Sequence, residues 1–376
     1  MSERGGALLL MVVALAAVAA ALLWRMEGAA GREAWARRAE EVALLVEVRE
    51  ALIGYALRDA TRPGELPCPD YNRDGVIRIV GGARDYDGSR CRTEVAGVVN
   101  PGWLPWRTLG LPPARDGFGE GLWYVVADDF HANAATPLNS DTPAPLALDG
   151  EGGLAALVIA PGAPLEGQTP RPAAPFDALL QRGRFLEGEN GDGDPLFAAA
   201  AGNDLLLPLE RWRLMAAVER RVVAAAATLL ADYRDACGGY PFAAPLGAAA
   251  VSVDGLREGV LPLDGAAPVP WGGACGGETA PRPPAWMAAW GALIHYAFAP
   301  LPCVAGGTCL RLVGEGGGRD DVEALVIVAG TDLTGRRPSA AIGDYLEGGN
   351  ASPGDGLFEW RRADALFNDR VRVVAP

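Results

Sequence analysis

The chain has 376 residues, 33 basic and 47 acidic side chains, and a formal charge of −14. That length suggests two compact units, and a half-apolar composition allows each a sizeable core. There is no lysine, which excludes a Walker A site, a kinase site and Schiff-base chemistry, and the acidic balance argues against a duplex-DNA binder.

The first six residues, Met1 to Gly6, are a short polar leader. The run from Ala7 to Trp24 that follows carries no charge. At about 1.5 Å rise per residue it is long enough to cross a hydrocarbon core, and it lacks the polar stripe of a soluble helix. The expectation is a leader over 1–5 and a transmembrane helix over 6–31. Arg25, Arg32, Arg37 and Arg38 after the span outnumber Arg4 before it, which taken alone places the body in the cytoplasm. Trp35, Ala39, Val42, Leu45, Val46, Leu52, Ile53 and Ala56 then recur mostly at three- and four-residue steps. They extend one long helix, amphipathic in its second half, to about Asp59, ahead of Pro63-Gly64.

The body reads as a duplication. Ala156-Leu157-Val158-Ile159 returns as Ala324-Leu325-Val326-Ile327, and Phe185-Leu186-Glu187-Gly188-Glu189-Asn190 as Tyr345-Leu346-Glu347-Gly348-Gly349-Asn350. Asn203-Asp204 returns as Asn368-Asp369, and Leu122-Trp123-Tyr124 is matched more weakly by Ile294-His295-Tyr296. Two lobes follow, 32–205 and 206–376, each a helix, then Gly- and Pro-rich loops, then short strands. The second helix is expected over Glu210–Tyr233, and strands over Leu122–Val126, Ala155–Ile159, Leu205–Leu209, Leu325–Val328 and Val371–Val374. Helix first and antiparallel sheet after is an α+β arrangement.

Six cysteines lie in loop-rich sequence, none in a C-x-x-C: Cys68, Cys91, Cys237, Cys275, Cys303 and Cys309. Closing the shortest loops pairs Cys68 with Cys91 and Cys303 with Cys309 and leaves Cys237 with Cys275, though six cysteines allow fifteen pairings. Disulfides call for an oxidising compartment and outweigh the arginine count in placing the body outside the cytoplasm. Asp70, Asn72 and Asp74 open a D-x-N-x-D-G calcium loop, but its twelfth position is Gly81 where a bidentate glutamate belongs. A polar turn with Asx capping is the simpler account, and calcium is the one cofactor for which the sequence offers ligands. A hydrolase would have to use His131 or His295. Trp103-Leu104-Pro105-Trp106 and the Trp286–Trp290 pair are either core or an aromatic surface for glycans or partners.

Several of these stretches carry a family resemblance. The leader ending Arg4-Gly5, with Gly6 opening the apolar run, resembles the type IV prepilin leader; Leu10 stands where most pilins have a glutamate. Ala51-Leu52-Ile53-Gly54-Tyr55 followed by Gly64-Glu65-Leu66-Pro67 is similar to the helix-to-loop passage of pseudopilins. Leu111-Pro112-Pro113, Asp116-Gly117-Phe118-Gly119 and Leu122-Trp123-Tyr124 are similar to their strand entry. The resemblance implies processing between Gly5 and Gly6 and two pilin-like helix-plus-antiparallel-sheet lobes behind a long N-terminal helix. It implies a non-enzymatic minor pilin or pseudopilin of a type IV pilus or type II secretion assembly, held by a single pass in a bacterial inner membrane with its body in the periplasm. Its partners would be other pilin or pseudopilin subunits, met through the N-terminal helix, and no nucleic acid. The alternative is an anchored periplasmic binding module for glycan or cell-wall material.

Overall fold

The structure is a computed structural model describing residues 35–77, 79–80, 83–84, 86–87, 90–91, 100–131, 137–172, 181–199, 202–247, 251–263 and 269–375. Strands in several sheets make up most of its regular structure, with two long helices, α1 (35–58) and α2 (Arg211–Cys237), packed among them.

This corrects the expected fold class. Among the described residues there is no long N-terminal helix that is membrane-spanning in its first half, and strands outnumber helices where an α+β chain led by such a helix was expected. The leader 1–5, with Gly5 and Gly6, and the apolar run Ala7–Trp24 lie outside the described residues. Among the described residues no helix is long and apolar enough to cross a membrane. The physical reason is composition: α1 carries Arg37, Arg38, Glu40, Glu41, Glu47, Arg49 and Glu50, and α2 carries Arg211, Arg213, Glu219, Arg220 and Arg221. The single-pass inner-membrane location and the prepilin and membrane assignments lose their support with it.

In α1 the apolar positions Leu45, Val48, Leu52, Ile53 and Ala56, at helical spacing, are buried. The helix stops where Asp59 Oδ1 accepts the N–H groups of Thr61 (2.7 Å) and Arg62 (2.8 Å), just before Pro63. The first sheet comprises β1 (Gly102–Trp103), β2 (Trp123–Val126), β3 (Leu146–Leu148), β4 (Glu151–Ala160), β5 (Leu196–Phe197) and β6 (Leu205–Glu210). β4 is its spine. β2, with Trp123 opposite Ile159, β3 and β6 each pair antiparallel with it, and β5 adds parallel to β3.

α2 follows β6 without a loop and ends at Gly238, whose φ of 74° and N–H to the Arg234 carbonyl (2.8 Å) make a left-handed cap suited to glycine. The second sheet is built from β7 (Glu258–Val260), β8 (Ile294–Phe298), β11 (Ala324–Val328) and β13 (Arg370–Ala375). A companion sheet holds β9 (Leu310–Gly314), β10 (Arg319–Val322) and β12 (Leu357–Trp360). Its pairing repeats the first lobe. His295 lies opposite Ile327 as Trp123 lies opposite Ile159. β12 joins β9 in parallel as β5 joins β3. The Asp70–Trp103 bridge at the edge returns as Ala244–Val260. The difference is that the spine, continuous in β4, is divided at Glu323 into β10 and β11.

Candidate functional site: an arginine- and tryptophan-lined cleft

Both lobes close their loop layer with the same polar frame. Glu187 Oε2 accepts the backbone N–H groups of Asn203 (3.0 Å) and Asp204 (3.2 Å). Asp204 Oδ2 accepts the Glu187 N–H (3.2 Å) and Asn190 Nδ2 (2.9 Å). In the second lobe Glu347 Oε2 accepts from Asn368 (2.9 Å) and Asp369 (3.2 Å), and Asp369 Oδ2 accepts from Glu347 N–H (3.0 Å) and Asn350 Nδ2 (2.9 Å). Burial pushes the Asp204 carboxyl up to about 7, the Glu187 charge adding to the effect. Burial and Glu347 raise Asp369 in the same way. In each pair the glutamate Oε2 and the aspartate Oδ2 are engaged within the frame, whereas Asp204 Oδ1 and Asp369 Oδ1 are buried without a hydrogen-bond partner.

Arginine forks complete each frame. Arg171 reaches the carbonyls of Gly162 (2.7 Å) and Arg184 (3.1 Å), and Arg337 those of Gly330 (2.6 Å), Asp344 (2.7 Å) and Tyr345 (2.7 Å). The repeated acids and asparagines are visible in the sequence. The forks are not, because nothing local ties an arginine to carbonyls seven to thirteen residues away on both sides of it.

The sequence-expected sites fare differently. The cysteines form Cys68–Cys91, Cys237–Cys275 and Cys303–Cys309. In the D-x-N-x-D-G loop Asp70 Oδ1 accepts the N–H groups of Asn72 and Arg73 (both 2.9 Å), and its Oδ2 accepts that of Gly75 (2.6 Å). Asp74 Oδ1 accepts from Val76 (2.8 Å), and Asn72 Oδ1 from Asp74 (3.1 Å). Asp70 is fully buried, and these oxygens point to the loop's own backbone, the geometry of an Asx-capped turn. Glu189, Asp192 and Asp194 bring carboxylate oxygens within 4.8 Å of one another on the surface. Cys68, Cys91 and His131 also converge, but both sulfurs are held in a disulfide.

His131 is fully buried with Nε2 2.7 Å from Asp128 Oδ1. Both ring nitrogens of His295 are buried without a hydrogen-bond partner.

The first tryptophan pair splits between the two roles considered for it. Trp103 is buried, 4.3 Å from Trp123 and 4.9 Å from Phe185, so that pair belongs to the core. Together with half-buried Trp106 it also floors a cleft of about 430 Å³. Three arginines line this cleft, Arg73, Arg107 and Arg115. Arg73 lies over the Trp103 ring at 4.4 Å and Arg107 over the Trp106 ring at 4.7 Å. Glu120 pairs with Arg73 (3.5 Å), and Arg115 donates to the Gly119 carbonyl (2.7 Å). Arg73 is held at φ 63° by the Asp70 turn, which presents its guanidinium to the indole. A cationic, aromatic hollow on a chain of charge −14 is chemically suited to an anion that offers a flat face. The sequence reading did not single out these arginines. The available signal was arginine interleaved with the aromatic run on both sides of Trp103.

Compared with protein-family models, curated proteins and solved structures, the chain matches none.

Proposed function

We propose that the chain is a non-enzymatic subunit of a multi-subunit assembly of the type IV pilus or type II secretion kind, working in an oxidising compartment. The observation that carries this reading is the exposure gradient along α1. Leu45, Val48, Leu52, Ile53 and Ala56 are buried and the apolar residues between them are partly buried, whereas Trp35 is 78 % exposed and Val42 41 % exposed. Among the described residues only the second half of this helix is covered, and the first half keeps apolar side chains open to a neighbour. Three disulfides agree with the compartment. The test is a benzophenone photocrosslinker placed at position 35 or 42 in cells. The expected adduct joins the chain to a pilin or pseudopilin subunit, and absence of such an adduct at both positions refutes the reading.

A second reading, a binding module for acidic glycan or cell-wall material, is favoured by the arginine- and tryptophan-lined cleft. Its guanidinia suit a uronic carboxylate and its indoles a sugar face. Oligogalacturonate should quench tryptophan fluorescence saturably, and Arg107→Gln should weaken the binding about tenfold, an energy of the size charge-assisted bonds supply. An unchanged affinity would rule the cleft out.

A further inference from the structure

Each lobe ends in a strand that pairs on one side only, β6 with β4 and β13 with β11. Such an edge carries a row of backbone N–H and C=O groups that its own sheet does not satisfy. Which residues own that row in β13 follows from the alternation of bonded and non-bonded pairs in an antiparallel ladder. The Ala329 N–H bonds to the Leu293 carbonyl (2.9 Å), so in the same phase His295 and Ala297 exchange bonds with Ile327 and Leu325. Val326 and Val328 are left to bond across to Arg372 and Arg370. Val371 and Val373 therefore turn their backbone groups outward, and among the described residues these groups have no hydrogen-bond partner.

The first lobe has the same register with a different outcome. Pro208 stands opposite Leu157 as Val373 stands opposite Leu325, and the two leucines hold the same place in the repeat. Proline has no N–H to offer a further strand, so the first edge is blunted. The second keeps the N–H. Its strand is also less covered than its neighbour: every residue of β11 is buried, and no residue of β13 is. Arg370 and Arg372 share one face of β13. Arg370 is engaged by Glu219 (3.1 Å), but Arg372 is exposed and pairs with no carboxylate among the described residues.

We infer that the outer edge of β13 accepts an extended, acidic peptide segment of another protein, added as a further strand to the four-stranded second sheet. The outward backbone row sets the partner's conformation, because only an extended chain presents donors and acceptors at the same spacing. Arg372 sets its charge, since an acidic side chain directly opposite makes a favourable cross-strand pair. A second copy of this chain fits poorly. The twofold register that joins Val371 of one copy to Val373 of the other sets Arg372 against Arg372, a like-charge pair.

The probe is the acetylated, amidated pentapeptide TVEVT, whose central glutamate meets Arg372 when its valines pair with Val371 and Val373. It is titrated into the full chain and followed by NMR and amide hydrogen exchange. Saturable binding is expected, with exchange at the Val371 and Val373 amides fast in the free chain and slowed by the peptide. The charge-reversed peptide TVRVT should bind at least about threefold more weakly, and Arg372→Glu should invert that preference. Val373→Pro, which copies Pro208 and leaves the bonds to β11 in place, should weaken TVEVT about tenfold. No saturable binding to the parent chain, or binding that leaves both amides unprotected, overturns the inference without recourse to any variant. An affinity unchanged in both folded variants overturns it as well. Protection of the two amides that grows with protein concentration in the absence of peptide would assign the edge to a second copy and overturn it too.

Discussion

Asp204 shows how a single buried acid sets a pH response. Its carboxyl is pushed up to about 7 in the folded chain from the ordinary aspartate value of 3.8, because burial and Glu187 disfavour its charge. The folded state therefore holds a proton that the unfolded chain releases, and the stability tied to that proton is lost as pH rises from about 4 through 7. Asp204→Asn keeps one acceptor for Asn190 and removes the titration. Chemical denaturation should show parent stability falling across this window and the variant changing less; equal slopes would contradict the assignment. The Glu-Gly-x-Asn and Asn-Asp repeats that build this site were legible as sequence. That their members bond to one another was not, since the bonds Glu187 to Asn203 and Glu347 to Asn368 bridge loops of unrelated length.

At the scale of elements, the disulfides differ in what they close. Cys237–Cys275 ties the last turn of α2 to a two-residue ribbon over a separation of 38, whereas Cys303–Cys309 spans 6. On the chain-entropy view these are worth about 4 and about 2 kcal/mol respectively. Paired Cys→Ser replacements should rank in that order in urea unfolding, with the 237/275 variant losing more. Element type could be read from composition and punctuation: β-branched or aliphatic runs bounded by turn residues mark β2, β4, β6, β11 and β13, and α2 follows from its Ala-rich, charge-bearing stretch. The weak points are where tertiary contacts decide. β4 begins at Glu151 because Leu146 and Leu148 of β3 are there to pair with it, which no local signal announces. The exposure of Trp35 and Val42 at the start of α1 was not legible for a similar reason: apolar spacing marks a helix face without saying what will cover it.

The two lobes are held together by charge as well as apolar contact. Glu219, 2 % exposed on α2, pairs with Arg370 of β13 (3.1 Å) and accepts the Ser140 hydroxyl from the first lobe (2.7 Å). Arg337 of the second lobe likewise reaches Asp141 of the first (3.1 Å). Arg370→Leu leaves a carboxylate buried without its partner, a loss of about 3–5 kcal/mol, while adding Glu219→Met should restore most of it. Thermal denaturation of the single and double variants measures both, and a double variant no better than the single would show that packing carries the loss. The duplication itself was visible as repeated words, but the burial of Glu219 was not, because an acid on a helix face ordinarily meets water.

That α2 grows out of β6 with no intervening loop has a further consequence. Glu210 ends the last strand of the first repeat and Arg211 begins the helix of the second, leaving no hinge residue between them. What repeats in the sequence and what folding requires are thus different lengths of chain. A gene fragment encoding one repeat would be a complete word and an incomplete object, with Glu219 parted either from Ser140 or from the rest of its own helix.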